Sequence, residues 1–146
     1  MVEKNILNIM VSHHNLLEIL FASFRDEVKT NSQRTERSLS ELIWETKKHF
    51  FAEENAIFNF PPLKIIGVWE IVKHLKGEHV IMLEKLQNFL DNFEDIKDQD
   101  MDDFHNILEN HRKIEEADLY PKLDEGMTAS QKTQIILRLN EIPIKK

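Results

Sequence analysis

Apolar side chains recur at three- and four-residue steps along four long runs of this chain, and nowhere does a strand-like alternation compete. The first run spans roughly residues 2–29 and carries Ile6, Met10, Leu17, Leu20, Phe21 and Phe24. The second spans about 35–59, through Leu39, Leu42, Ile43, Phe50 and Ile57. The third spans about 64–92, through Val68, Val72, Leu75, Met82, Leu86 and Phe89, and the fourth about 98–120, through Met101, Phe104, Leu108 and Ile114. Polar residues 30–33, the proline pair 61–62, the acidic stretch 91–100 and Pro121 separate or end them. A capping-box pattern, Thr128 with Gln131, opens a short fifth helix over about 128–142, with Ile135, Ile136, Leu139 and Ile142 on its packing face. The expected fold is all-α: an up-down-up-down four-helix bundle over about 2–121 with a short C-terminal fifth helix, one domain across 1–146.

Composition excludes several chemistries. The chain has no cysteine, which removes disulfides, thiolate zinc sites, thiolate-held clusters and cysteine nucleophiles. The formal net charge is −7 and no basic stripe is present, so nucleic acid is not an expected partner. No run of about 18 apolar residues predicts a membrane span. The first residues lack the layout of a secretory signal, and a cytoplasmic location is the expectation.

Within the second and fourth runs one phrase is written twice. "HFFAEENAIF" begins at His49 and "HRKIEEADLY" begins at His111, 62 residues later. Both read His-x-x-x-Glu-Glu-x-x-aliphatic-aromatic. The first and third runs also match when His14 is set on His79, 65 residues apart. Leu17, Phe21 and Phe24 then fall on Met82, Leu86 and Phe89, a better match than His13 gives. The chain therefore reads as two helix pairs, each offering one His and then one His-x-x-x-Glu.

Helical geometry gives the phrase a meaning. Residues four apart differ by about 40° around the axis, so His49 and Glu53 share a face, as do His111 and Glu115. Glu54 and Glu116 lie about 140° from their histidines, toward solvent or a neighbouring helix. The inner set is His14, His49, Glu53, His79, His111 and Glu115. One His-x-x-x-Glu is an ordinary surface pair, but two on alternate helices with two further matched histidines are hard to obtain by chance. Four imidazoles and two bridging carboxylates suit two first-row transition ions: iron first, then manganese or zinc. His13 is an alternative to His14, and His74, five residues before His79, a fallback ligand. His105 is expected to be exposed. Glu45 is a candidate to orient His49, against the simpler reading of a surface Glu. Gly77 either leaves room for a small gas or is merely tolerated, and Trp44, Trp69 and Phe50 are expected in the core.

The order His, His-x-x-x-Glu, His, His-x-x-x-Glu resembles the hemerythrin-like, or HHE cation-binding, domain, over roughly residues 5–121. "GEHVIMLEKL" and "HRKIEEADLYP" are similar to that family's third and fourth helices. The resemblance implies a non-haem di-iron centre with His14, His49, His79 and His111 as terminal ligands. Glu53 and Glu115 would bridge the ions together with an oxo or hydroxo group, and an open position would take dioxygen, nitric oxide or peroxide. The oxygen carriers of the family place two His four apart on the third helix and an Asp five residues after the His of the fourth. Here His74 and His79 are five apart, and Glu115 and Glu116 occupy the fourth and fifth positions after His111. The symmetric set resembles members linked to iron–sulfur repair, nitric oxide handling and iron sensing. The repair proteins usually carry an N-terminal cysteine-containing domain, which this sequence lacks.

Three functions are compatible with the residues. A binding or sensing protein for dioxygen or nitric oxide is favoured over an enzyme, because no substrate pocket or electron partner is visible. A redox enzyme or repair factor using the same centre is the alternative. A metal-free structural bundle is the third. By this reading Glu53→Ala or Glu115→Ala depletes metal, whereas Glu54→Ala or Glu116→Ala has little effect.

Overall fold

The computed structural model describes residues 5–59 and 67–141. These residues are almost wholly helical and contain no strand. Helix α1 spans Ile6–Lys29 and α2 spans Thr35–Glu53. A π-helical turn, Glu54–Phe58, continues α2 without a break, marked by the Asn59 N–H reaching the Glu54 carbonyl at 3.0 Å. Helix α3 spans Val68–Asp91, and a 3-10 turn, Phe93–Asp95, leads to α4, Asp98–Ile114. A second π turn, Glu115–Leu119, joins α4 to α5, Tyr120–Gly126, and α6 spans Ala129–Glu141. The proline pair 61–62, the expected helix start at residue 64, residues 2–4 and Ile142 lie outside the described residues.

The ends of the helices follow from local chemistry. Asn5 accepts from the Asn8 N–H at 2.7 Å and caps α1. Asp124, far along the chain, accepts from the Ile6 and Leu7 N–H groups at 2.9 and 3.1 Å. Its carboxylate therefore satisfies two free donors of α1 and ties α5 to the start of the bundle. Gly67 precedes α3 at φ 83, a conformation that a side chain disfavours. Thr128 and Gln131 form the expected reciprocal cap, at 2.9 and 3.1 Å.

Pro121 does not end the fourth run as expected. The π turn has already displaced the hydrogen-bond register, and Pro121 sits in the first turn of α5, where its missing N–H is not needed.

Consecutive long helices pack on one another, and α5 with the second π turn returns to α1, closing a helical bundle. The apolar core is divided in two. One cluster includes Phe21, Phe24, Leu42, Phe50, Met82, Leu86 and Phe104. The other includes Ile6, Met10, Ile57, Phe58, Val72, Leu75, Tyr120 and, from α6, Ile135. In each long helix the residues between these clusters are the histidines and glutamates of the repeat.

Phe50 is buried as expected, and Trp44 is half-buried. Trp69 is 40% exposed, because it lies beside the buried Val68 rather than on the Val72–Leu75 stripe. Gly77 is exposed with open space beside it, so it makes no close approach to the interior. No helix among the described residues is long and apolar enough to cross a membrane.

Replacing Asp124 by Ala leaves two donors at the head of α1 without their partner. Loss of a helix cap of this kind costs about 1 kcal/mol, to be read as a lower midpoint in urea unfolding.

Candidate metal centre

All six residues of the inner set converge between the two apolar clusters. His14, His49, His79 and His111 are at most 6% exposed, and Glu53 and Glu115 are 0% exposed. Glu115 Oε1 lies 3.0 Å from His14 Nε2 and 3.3 Å from His111 Nε2. Glu53 Oε1 lies 2.9 Å from His79 Nε2, and its Oε2 lies 4.0 Å from His49 Nε2. Each carboxylate thus joins a histidine of its own helical run to one on another helix. Two groups of potential ligand atoms result: His14, His49, Glu53 and Glu115, and His79, His111, Glu53 and Glu115. Within each, the atoms lie within 4.8 Å of one another, and both carboxylates belong to both groups.

The donor set fits a pair of cations. All four Nε2 atoms, Glu53 Oε1 and both Glu115 oxygens are buried without a well-aligned hydrogen bond. Burying such groups unpaired is costly, and a cation is the partner that accepts imidazole lone pairs and carboxylate charge together. The resident charges show the same tension. Burial and the neighbouring Glu115 push the Glu53 carboxyl above its usual range. Glu115 resists burial and is held well below its usual range by His111 and its other neighbours. Burial pushes His49 down to about 3, so its ring is neutral at pH 7. Burial also opposes charge on His111, but Glu115 and Glu78 outweigh it and raise it to about 10. His14 and His79 are raised in the same manner, by Glu115 and Glu53 respectively.

A second layer of residues grips the outer nitrogens, and most of it was not anticipated. Glu116 Oε2 lies 2.6 Å from His14 Nδ1, Glu54 Oε2 lies 3.2 Å from His79 Nδ1, and Glu78 Oε1 lies 2.9 Å from His111 Nδ1. Glu54 and Glu116 do point across to neighbouring helices, but what they meet there is a histidine of the centre. The expectation that they matter little is therefore revised, since a carboxylate on the outer nitrogen fixes tautomer and ring orientation and makes the imidazole a stronger donor. Tyr120 donates its hydroxyl to Glu53 Oε2. Phe50 and Phe58 stack on the His79 ring, with centroids 3.8 and 5.4 Å away.

The remaining candidates fall outside the cluster. His13 is half-buried, and its Nδ1 lies 3.3 Å from His49 Nδ1, outside the inner set. His74 is 58% exposed and pairs with Glu78 at 3.4 Å. Glu45 pairs with Lys48 at 3.6 Å, and no contact with His49 is present among the described residues. His105 is only 34% exposed, because its ring stacks on Phe21 and its Nε2 meets Glu18 at 3.2 Å. Two signals for the second layer were in the sequence: the doubled Glu-Glu of the repeat, and the aromatic that closes each phrase.

A comparison with protein-family models matches residues 5–123 to the hemerythrin HHE cation-binding domain. The chain belongs to that family. No curated protein and no solved structure matched it. Membership and geometry agree: the HHE domain is a cation-binding domain, and the buried clusters of this one are His/Glu groups able to hold metal.

Two outcomes follow. Glu116→Ala removes the partner of His14 Nδ1 and should lower metal affinity about 10- to 100-fold, measured by equilibrium dialysis against manganese(II). His111, raised to about 10, is protonated at pH 7 and must lose its Nε2 proton to ligate. Metal uptake at pH 7 should therefore release at least one proton, read by calorimetry in buffers of different ionisation enthalpy.

Proposed function

We propose that this chain is a non-haem di-iron protein that binds or senses a small ligand such as dioxygen or nitric oxide. His14 and His49 would hold one ion and His79 and His111 the other, with Glu53 and Glu115 bridging both. Manganese or zinc would satisfy the same donors. The four long helices would alternate up and down, each pair supplying half of the ligands. The observation that carries this reading is the sharing of both carboxylates by two buried donor groups, since a single ion would leave two imidazoles unused.

The size of the ligand follows from burial. The six donors are at most 6% exposed, so only a small molecule reaches the centre without rearrangement. Four protein donors per ion are fewer than an octahedral ion accepts, which leaves positions for that molecule. Iron, when bound, would supply reversible ligand binding or electrons. The chain itself does the rest: Glu54, Glu78 and Glu116 orient imidazoles, Tyr120 donates its hydroxyl hydrogen to Glu53 Oε2, and the apolar clusters exclude water.

One observation favours a second reading, in which the centre turns over nitric oxide or peroxide or serves cluster repair. The buried Tyr120 hydroxyl is a proton source in contact with a bridging carboxylate. Protein purified without oxygen separates the two. A binding protein contains about two irons per chain and shows a visible band that appears with dioxygen or nitric oxide and reverses when the gas is removed. Irreversible oxidation or multiple turnovers assigns the enzyme. Glu53→Ala or Glu115→Ala should bring the content to one iron or fewer, and absence of any metal after reconstitution would sink both readings.

A further inference from the structure

Nearly every part of the centre occurs twice, related by the offsets of the repeat. His14 corresponds to His79, His49 to His111, and Glu53 to Glu115. The outer partners obey the same relation, for Glu116 reaches from the fourth helix back to His14 as Glu54 reaches from the second to His79. The residue before each first histidine also has equivalent work. His13 Nδ1 lies 3.3 Å from His49 Nδ1, and Glu78 Oε1 lies 2.9 Å from His111 Nδ1. At this one outer position the two halves differ in kind: an imidazole stands where the other half has a carboxylate.

The difference changes the ligand behind it. A carboxylate accepting the Nδ1 proton gives the imidazole anionic character and strengthens donation from Nε2. An imidazole nitrogen is a neutral and weaker acceptor. A second observation points the same way. Glu116, the remaining anion behind the His14 and His49 pair, is shared with Arg112, whose Nε lies 2.5 Å from it. The His79 and His111 pair has both Glu54 and Glu78 behind it, and neither shows an Arg or Lys within ion-pair distance among the described residues.

Resting on the di-metal reading above, we infer that the two metal positions are unequal, that the ion held by His14 and His49 is the weakly bound one, and that His13 is the positioning residue responsible. Mutual repulsion of two cations produces stepwise binding even at equal positions, so the test isolates each one. Full-length protein stripped of metal is titrated with cobalt(II), followed by its visible bands. His49→Ala leaves the His79 and His111 position, and His111→Ala leaves the His14 and His49 position.

The expected result is at least tenfold tighter binding by His49→Ala than by His111→Ala. Adding His13→Glu to the His111→Ala protein should close that gap, while His13→Gln, a neutral acceptor, should not. Adding Glu78→His to the His49→Ala protein should weaken it to the same degree. Helical circular dichroism confirms that each variant folds, and a purely structural role for His13 would not distinguish Glu from Gln. Equal affinities of the two single variants, or no effect of His13→Glu, overturn the inference while leaving the di-metal centre intact. Failure of unmodified protein to bind cobalt overturns both.

Discussion

Glu53 and Glu115 are 0% exposed and lie together between two apolar clusters. Carboxylates moved from water into such surroundings lose several kcal/mol of solvation each unless something replaces it. Here part of the replacement comes from four imidazoles on four helices, which with the carboxylates form groups able to hold metal. The rest of the bundle follows from that constraint. Its core is split because a polar layer runs through it, and its helices are long enough for apolar clusters to seal that layer on both sides.

The layer is built by a near two-fold repetition, and the backbone takes part. Both repeat phrases leave α-helical geometry within a residue of the same point, at Glu54 and at Glu115. The π turn after Glu53 allows Ala56, Ile57 and Phe58 all to be buried in succession, which a regular helix facing one side does not permit. Phe58 then stacks on His79, and its counterpart Tyr120 lies 6.1 Å from the His14 ring. Duplication is not identity, however. Tyr120 adds a hydroxyl to Glu53 that Phe58 does not offer Glu115, and His13 faces Glu78 across the relation. A centre assembled from two similar halves is in this way given two different sides.

Much of the site is legible in the sequence. Spacing of four places His and Glu on one helical face whatever the tertiary arrangement, and the offset of 65 distinguished His14 from His13. The Thr128–Gln131 cap was likewise legible, because both partners lie within one turn. Trp69 and Pro121 misled for the opposite reason. Whether an aromatic is covered, or a proline ends a helix, depends on neighbours that local patterns do not contain.

Fold class, the four long helices and the six-residue inner set are determined by the sequence alone, since each rests on periodicity or on residues one turn apart. The outer layer is decided only by the tertiary structure. Glu116 meets His14 across 102 positions of chain, and Tyr120 meets Glu53 across 67. Such contacts depend on how far each helix is rotated about its axis and on the two π turns that set this rotation. No spacing rule along one helix reports the rotation of another, so which carboxylate stands behind which imidazole is known only once the helices are packed.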